Sequence, residues 1–200
     1  QGRLEALLNF QTMIMELTGM ELANASLLDE ATAAAEAMIM LYNARSREDT
    51  KEGKNQFFVD ENIFPQTREV IRTRAGRLGI ELVFGSYDEF QGDERIFGCL
   101  LQYPGANGAV RDYGAFTALA HEKGIAVAVS ADLMSLVMLR SPGEWGADVV
   151  VGSSQRFGIP MFNGGPHAAF FATKEAYKRY LPGRIIGIST DANGLPALRM

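Results

Sequence analysis

The stretch DYGAFTALAHEKGIAVAVSAD, residues 112–132, decides the fold class. Its first part spaces apolar residues as one face of an amphipathic helix does, and Gly124 is a typical residue at which such a helix ends. The run IAVAVSAD that follows is apolar at nearly every position, so we expect a strand that is buried on both faces. Strands of this kind occur in parallel sheets that are covered by helices, and we predict such a sheet here.

The same alternation of helical and strand patterns continues on both sides of this stretch. One helix is predicted to start at Asp29 or Thr32, and another is predicted from Pro65 to Leu78 with Gly79 at its end. The apolar runs predicted as strands are FFVD, IELVF, FGCLLQYP, DVVVG, AAFFA and IIGIS. The polar segment SREDTKEGKNQ before FFVD is predicted to be a connector, and KEAYKRY is predicted to be a short helix. This order predicts an α/β protein with three layers, α/β/α, around a mostly parallel sheet.

The domain organisation is predicted to be simple. No internal repeat or low-complexity tract interrupts the pattern, so residues 1–200 are predicted to form a single domain. The sequence opens inside a helical pattern and closes at DANGLPALRM, where apolar residues are still arriving. We therefore expect these residues to be a fragment of a longer polypeptide.

Composition and charge exclude several classes of partner. The net charge is −5 and no basic run is present, so we expect no nucleic-acid partner, because affinity for phosphate backbones depends on clustered Lys and Arg. No stretch approaches the roughly eighteen apolar residues of a membrane span, and we expect no membrane partner. Cys99 lies inside the apolar run IFGCLL and is interpreted as a buried structural thiol. Two histidines far apart and one cysteine predict no metal site.

The common nucleotide and hydrolase motifs are also missing. No G-x-G-x-x-G follows a predicted strand, and no glycine-rich loop ends in Gly-Lys-Ser or Gly-Lys-Thr. The segment GSSQRFG departs from the G-x-S-x-G motif of a serine hydrolase. Candidate site residues therefore have to be sought directly after the strands, where ligands collect in sheets of this class.

Two positions fit a site for pyridoxal 5'-phosphate (PLP), each with a plainer alternative. The N-terminus of the helix DEATAAAE offers free backbone N–H groups and the Thr32 hydroxyl to a phosphate, although it could be an ordinary helix cap. Asp132 ends the run AVAVSAD, where a carboxylate could hold a protonated ring nitrogen. It could equally cap the segment that follows.

The lysine that such a site needs is missing. Between Lys123 and Lys174 the sequence contains no lysine, and Gln155 and Arg156 stand where one would be expected. Arginine cannot form the Schiff base, because its guanidinium stays protonated. The pattern thus indicates the layout of a PLP site without its covalent anchor, and we expect no cofactor to be bound covalently to this segment.

Four segments carry a resemblance to a known family: SLLDEATAAAEAM, GADVVVGSSQRFGIP, GGPHAAFFATKEAYKRYLPGRIIGIS and DANGLPALRM. They resemble the N-terminal half of the glycine decarboxylase P-protein family of the glycine cleavage system, over essentially all 200 residues. The resemblance implies the large domain of the PLP-dependent transferase fold (fold type I). It also implies that the chain belongs to the half that lacks the lysine, with Gln155, Arg156 and Phe157 at the corresponding place.

The function implied by this resemblance belongs to the complete enzyme. That enzyme uses PLP to release CO2 from glycine and passes the aminomethyl group to the lipoyl arm of H-protein. This segment would be the noncatalytic half, supporting the active site of a lysine-bearing C-terminal half or subunit. Its own site would be degenerate, with Thr32, Asp132, Gln155 and Arg156 as remnants. The compartment would be the bacterial cytoplasm or the mitochondrial matrix.

The loop NGGPH is the candidate for a contribution to the partner's cofactor site. Its residues Asn163, Gly164, Gly165 and His167 could reach that site in trans, because glycines allow a close approach of the backbone. The alternative is a hairpin turn with a surface histidine.

Two departures from the family's usual pattern limit what the resemblance implies. Ala31 stands where the family usually has glycine, which would obstruct the phosphate seat, and Phe162 with Asn163 replaces the usual Gly followed by an aromatic residue. Arg184, after a Pro-Gly turn, is expected to form a surface salt bridge or to meet the partner. Two other functions stay open: an autonomous PLP enzyme that uses Lys174, and a binding module without enzymatic activity.

Overall fold

A seven-stranded sheet forms the centre of the protein in a computed structural model that describes residues 2–200. Its strands are β1 (Leu22–Ala23), β2 (Gln56–Asp60), β3 (Glu81–Gly85), β4 (Ile96–Tyr103), β5 (Ala126–Ala131), β6 (Val149–Ser153) and β7 (Ala169–Thr173). Their order across the sheet is β1-β7-β6-β5-β4-β2-β3. The five strands β2 to β6 are mutually parallel. Strand β7 runs antiparallel to β6, and β1 runs antiparallel to β7. The predicted, mostly parallel sheet is confirmed.

Helices cover both faces of the sheet. They are α1 (Gly2–Thr18), α2 (Glu30–Asn43), α3 (Arg47–Lys51), α4 (Pro65–Leu78) and α5 (Gly114–Glu122). One hydrophobic cluster joins Ile14 of α1 and Phe116 of α5 to one face of the sheet, and a second joins the alanines of α2 and Ile71 of α4 to the other. Because apolar residues of β5 alternate between the two clusters, Val127 in the first and Ala128 in the second, the strand is buried on both sides. The three-layer α/β/α architecture is therefore confirmed.

The helix ends follow local sequence signals. The Asp29 side chain caps α2 and accepts a hydrogen bond from the Thr32 backbone N–H at 2.7 Å. Helix α4 begins at Pro65 and ends before Gly79, whose φ of 69° is in the left-handed region that glycine adopts without strain. Both predicted helices are confirmed, as is the burial of Cys99, which raises the pKa of its thiol well above the ordinary value.

Three local features differ from the sequence predictions. Helix α3 lies in a segment that was expected to be a polar connector, and it is held by a capping box between Ser46 and Asp49. The segment KEAYKRY forms only the short 3-10 turn Glu175–Tyr177. The strand predicted at IIGIS is confirmed as β8 (Gly187–Thr190), but it lies outside the central sheet and pairs with β9 (Pro196–Arg199) as a separate antiparallel hairpin. Across residues 2–200, none of the helices has the length and apolar character needed to cross a membrane.

Candidate functional site

A small pocket lies where the carboxyl ends of β4, β5 and β6 meet. Its volume is about 210 Å³. We call this cavity the edge pocket. It is lined by Glu30, Phe64, Gln102, Ala131, Asp132, Ser153 and Arg156. This is the edge of the sheet at which an α/β fold of this class binds ligands. It is also the edge at which the sequence predicted the remnant site.

Asp132 and Arg156 meet in the edge pocket as an ion pair. Asp132 follows β5 directly, and Arg156 lies in the short 3-10 turn Gln155–Phe157 just after β6. One Asp132 carboxylate oxygen accepts a hydrogen bond from the Arg156 guanidinium, and the other accepts one from the Met134 backbone N–H at 3.0 Å. Asp132 therefore caps the next segment, and its remaining oxygen is paired with a permanent cation of the chain itself.

Gln155 does not enter the edge pocket. Its Nε2 donates a hydrogen bond to the Ile159 carbonyl oxygen at 2.9 Å, and its backbone N–H donates to Ser153 Oγ at 3.2 Å. The side chain thus holds the turn that carries Arg156. Of the four residues predicted as a degenerate site, the structure brings Asp132 and Arg156 together and leaves Gln155 and Thr32 outside the lining of the pocket.

The predicted phosphate seat at the start of α2 is filled by the chain's own carboxylate. The Thr32 N–H, which could have met a phosphate, donates to Asp29. Burial by itself raises the pKa of Asp29, but hydrogen bonds from the Thr32 side chain and backbone outweigh it, so that the pKa is lowered. A second anion at this helix end would meet an ionised Asp29.

Sequence reasoning missed Glu30. Its Oε1 accepts a hydrogen bond from Ser130 Oγ at 2.6 Å, and burial raises the pKa of the carboxyl. One signal was available, since Ser130 is a polar residue inside the otherwise apolar run AVAVSA and requires a buried partner. That the partner would be Glu30, on a different element, could not be derived from spacing.

The NGGPH loop lies on the surface. Asn163, Gly164, Gly165 and His167 are all exposed, and none of them lines the edge pocket. The two glycines have φ values of 89° and 54°, and His167 Nδ1 lies 2.8 Å from the Gly165 carbonyl oxygen. The loop therefore has the exposure that a contact with a second chain requires.

Lys174 lies at the opposite edge of the sheet. Because β7 is antiparallel to β6, the end of β7 pairs with the start of β6, Thr173 with Val149. Lys174 Nζ binds Asp148 Oδ1 at 2.6 Å and the Gly146 carbonyl oxygen at 3.1 Å. The hypothesis that Lys174 is the Schiff-base lysine of an autonomous enzyme is therefore wrong.

Arg184 also differs from its expected role. Its guanidinium lies 3.4 Å from Met200 Sδ. No carboxylate within the described residues 2–200 forms an ion pair with it, so the expected salt bridge within the chain is not made.

Comparison with known proteins gives a consistent result. The family model described as "Glycine cleavage system P-protein" matches residues 1–200. Proteins named glycine dehydrogenase (decarboxylating) from Flavobacterium johnsoniae, Bacteroides thetaiotaomicron and Nostoc punctiforme are 62%, 60% and 58% identical over 200 residues. These matches cover 100% of this chain but only 20–21% of each relative, so the chain spans about a fifth of their length.

Solved structures agree with this match. A crystal structure of glycine decarboxylase (P-protein) of the glycine cleavage system, in inhibitor-bound form, superposes with a TM-score of 0.89 at 37% identity, covering 99% of this chain and 45% of that one. A putative O-acetylhomoserine (thiol)-lyase from Campylobacter jejuni gives a TM-score of 0.68 at 15% identity, over 88% and 42% of the two chains, and shows that the fold is that of PLP-dependent enzymes of fold type I. With its whole length matched by the family model and its fold shared with a solved member, this chain belongs to the glycine cleavage system P-protein family.

Proposed function

We propose that this chain is a segment of the N-terminal half of a glycine dehydrogenase (decarboxylating), the half without the Schiff-base lysine, and that it supports an active site carried by a half that has this lysine. The observation that carries the proposal is the ion pair between Asp132 and Arg156. Asp132 is the carboxylate best placed to hold a cofactor ring, and this pair gives it a partner within the chain. The chain would then keep the architecture of the site without its chemistry.

The edge pocket does not fit PLP. No lysine is among the residues that line it, so nothing in the lining can form a Schiff base. Asp132 is paired with Arg156, and the start of α2 presents the carboxylates of Asp29 and Glu30 where a phosphate would have to sit. These negative charges would repel a phosphate and so oppose its binding. We therefore expect this half to bind no PLP by itself.

The complete enzyme would hold PLP in the other half. There the cofactor would supply the electron sink that decarboxylation of glycine requires, and the aminomethyl group would pass to the lipoyl arm of H-protein. The residues of this chain would help to orient the groups in the partner's site and to exclude water from it. Asn163 and His167 are exposed side chains that can donate hydrogen bonds to an anionic group of the partner, and Gly164 and Gly165 let the backbone approach closely.

An exposed apolar surface supports an association with a second half. Val137, Met138, Met161 and Phe162 are 61%, 91%, 85% and 62% exposed, respectively. A cavity of about 690 Å³ lined by Met134, Gln155, Arg156, Gly158, Ile159, Pro160 and Met161 lies beside the edge pocket. Apolar side chains exposed in such numbers at one edge are typical of a surface that a partner covers.

Cofactor titration tests the proposal. PLP is added to this chain alone, to the lysine-bearing half alone and to their mixture, and Schiff-base absorbance is followed before and after reduction with borohydride. We expect no reducible absorbance from the chain alone and a strong signal from the mixture, with glycine decarboxylation in the mixture only. A reducible signal from this chain alone would contradict the noncatalytic role. Failure of the two halves to associate would favour a binding module without enzymatic activity.

A further inference from the structure

The edge pocket contains polar groups whose binding capacity the chain does not use. Gln102 is 1% exposed, and its Oε1 has no hydrogen-bond partner among residues 2–200. Unpartnered buried amide oxygens are uncommon in folded proteins, because each loses its hydrogen bonds to water without gaining others. Gln102 lines the pocket together with Glu30 and Asp132. A ligand that brings hydrogen-bond donors would meet an acceptor that nothing else satisfies.

The charges of the pocket do not balance. Arg156 is the one cation in the lining, and its charge is offset by Asp132. Glu30 has no cationic partner among residues 2–200. Burial raises the pKa of its carboxyl, and its Oε1 accepts a hydrogen bond from Ser130. An ammonium group placed in the pocket would supply the missing positive charge, and it would offset the desolvation of Glu30.

Arg156 can recognise a second group on the same ligand. A guanidinium carries five N–H donors, and the bond to Asp132 uses one side of it. The side chain is 58% exposed, so the remaining donors can reach a carboxylate at the mouth of the pocket. Arginine is well suited to this because its donors match a planar carboxylate in pairs.

We propose that the edge pocket binds a small α-amino acid as a zwitterion, with its ammonium group on Glu30 and Gln102 and its carboxylate on Arg156. The volume of about 210 Å³ far exceeds the roughly 15 Å³ that one water needs. Phe64 and Ala131 supply apolar walls, and we expect a short side chain to fit between them best. The two carboxylates make a phosphate or a dicarboxylate a poor ligand.

This site is separate from the proposed support of a partner half, because every group in it belongs to this chain. Binding is therefore measured on the chain alone, without PLP, by calorimetry with glycine, alanine and leucine. Ammonium chloride, methylamine and acetate test each charged group separately. We expect saturable binding of glycine and alanine, weaker binding of leucine, and none of the single-group compounds. Titration to about 10 mM detects a Kd near 1 mM.

Charge-matched variants locate the site. Glu30→Gln and Arg156→Gln should each weaken binding at least about tenfold, as expected when one ionic hydrogen bond is lost. Glu122→Gln and Arg179→Gln remove the same charges from exposed positions and should leave the affinity unchanged. Thermal melts monitored by circular dichroism check that each variant is folded. The NMR signal of the Gln102 side-chain amide should shift on binding.

Several results would overturn the proposal. No saturable binding of glycine or alanine to the folded chain would do so, as would equal binding of methylamine. Equal loss of affinity in the two control variants, or shifts confined to signals away from Gln102, would place the ligand elsewhere. None of these results bears on whether the two halves associate, so this proposal and the proposed function fail separately.

Discussion

Arg156 donates a hydrogen bond to Asp132 across the ends of two neighbouring parallel strands, β6 and β5. The pair joins two residues 24 positions apart: Asp132 directly follows β5, and Arg156 lies in the short turn after β6. The guanidinium gives the Asp132 carboxylate a cationic partner within the chain. No ligand is needed to balance its charge.

Loss of this pair should have little effect on stability. Arg156 and Asp132 are 58% and 29% exposed, and exposed ion pairs contribute about 0.2–1 kcal/mol. Arg156→Ala should therefore lower the free energy of unfolding by less than about 1 kcal/mol, measured by urea denaturation. Asp132→Ala should cost more, because it also removes the acceptor for the Met134 N–H. An equal or larger loss for Arg156→Ala would show that the pair holds the fold.

Asp148 should be far more important for stability. It is 6% exposed and binds the Val127 N–H at 2.8 Å, His121 Nε2 at 2.8 Å and Lys174 Nζ at 2.6 Å. These contacts tie the starts of β5 and β6 to the end of β7, and their loss leaves buried donors unsatisfied. Asp148→Ala should lower the free energy of unfolding by about 3–5 kcal/mol. Glu69→Ala, which breaks an exposed pair, is the control and should cost under about 1 kcal/mol.

Gly152 should tolerate no side chain. A Cβ at this position would lie 2.1 Å from the Ala131 carbonyl oxygen and 2.7 Å from the Phe170 ring. Since one of these atoms is backbone of the neighbouring strand, Gly152→Ala must push β5 and β6 apart, at a cost of about 3 kcal/mol or more. Gly187→Ala, where a Cβ meets nothing within 4 Å, should be nearly neutral. Similar chemical denaturation midpoints for the two variants would contradict this prediction.

Glu30 should make stability depend on pH in an unusual direction. Burial raises its pKa above the ordinary value of 4.5, so the folded state holds this proton more tightly than the unfolded state does. The contribution of Glu30 is therefore most favourable below pH 4.5 and is lost as pH rises through the folded pKa. The unfolding free energy of the native chain minus that of Glu30→Gln should fall as pH is raised from about 4.5 to 7. A rise in this signed value over the same range would show that the carboxyl is stabilised as an anion.

Much of the fold could be predicted because its signals are local. Proline at the start and glycine at the end placed α4 within its observed bounds, and a continuous apolar run identified β5. Helix α3 was missed because its capping box, formed by Ser46 and Asp49, lies in a polar segment without an apolar face. Short helices held by side-chain caps lack the periodicity on which such predictions depend.

The candidate site was predictable only in part, because its contacts are not local. Strand ends placed Asp132 and Arg156 at one edge, since parallel strands share that edge. The sequence contained no indication that Glu30 would meet Ser130, which lies 100 positions away. Lys174 lies at the opposite edge of the sheet because β7 is antiparallel to β6, and the direction of β7 is set by its pairing in the sheet and not by local sequence.

The NGGPH loop should affect the cofactor of the complete enzyme and leave the stability of this chain unchanged. Asn163 and His167 are exposed, and substitutions at such positions usually change stability by no more than about 0.5 kcal/mol. If they donate hydrogen bonds to a charged group in the partner's site, Asn163→Ala and His167→Ala should each raise the Kd of PLP for the mixed halves by about 10- to 100-fold. Asn193→Ala changes an exposed residue of another loop and should leave that Kd as it is. Equal PLP affinity in all three variants, with association of the halves intact, would show that this loop is a surface turn without a role in the partner's site.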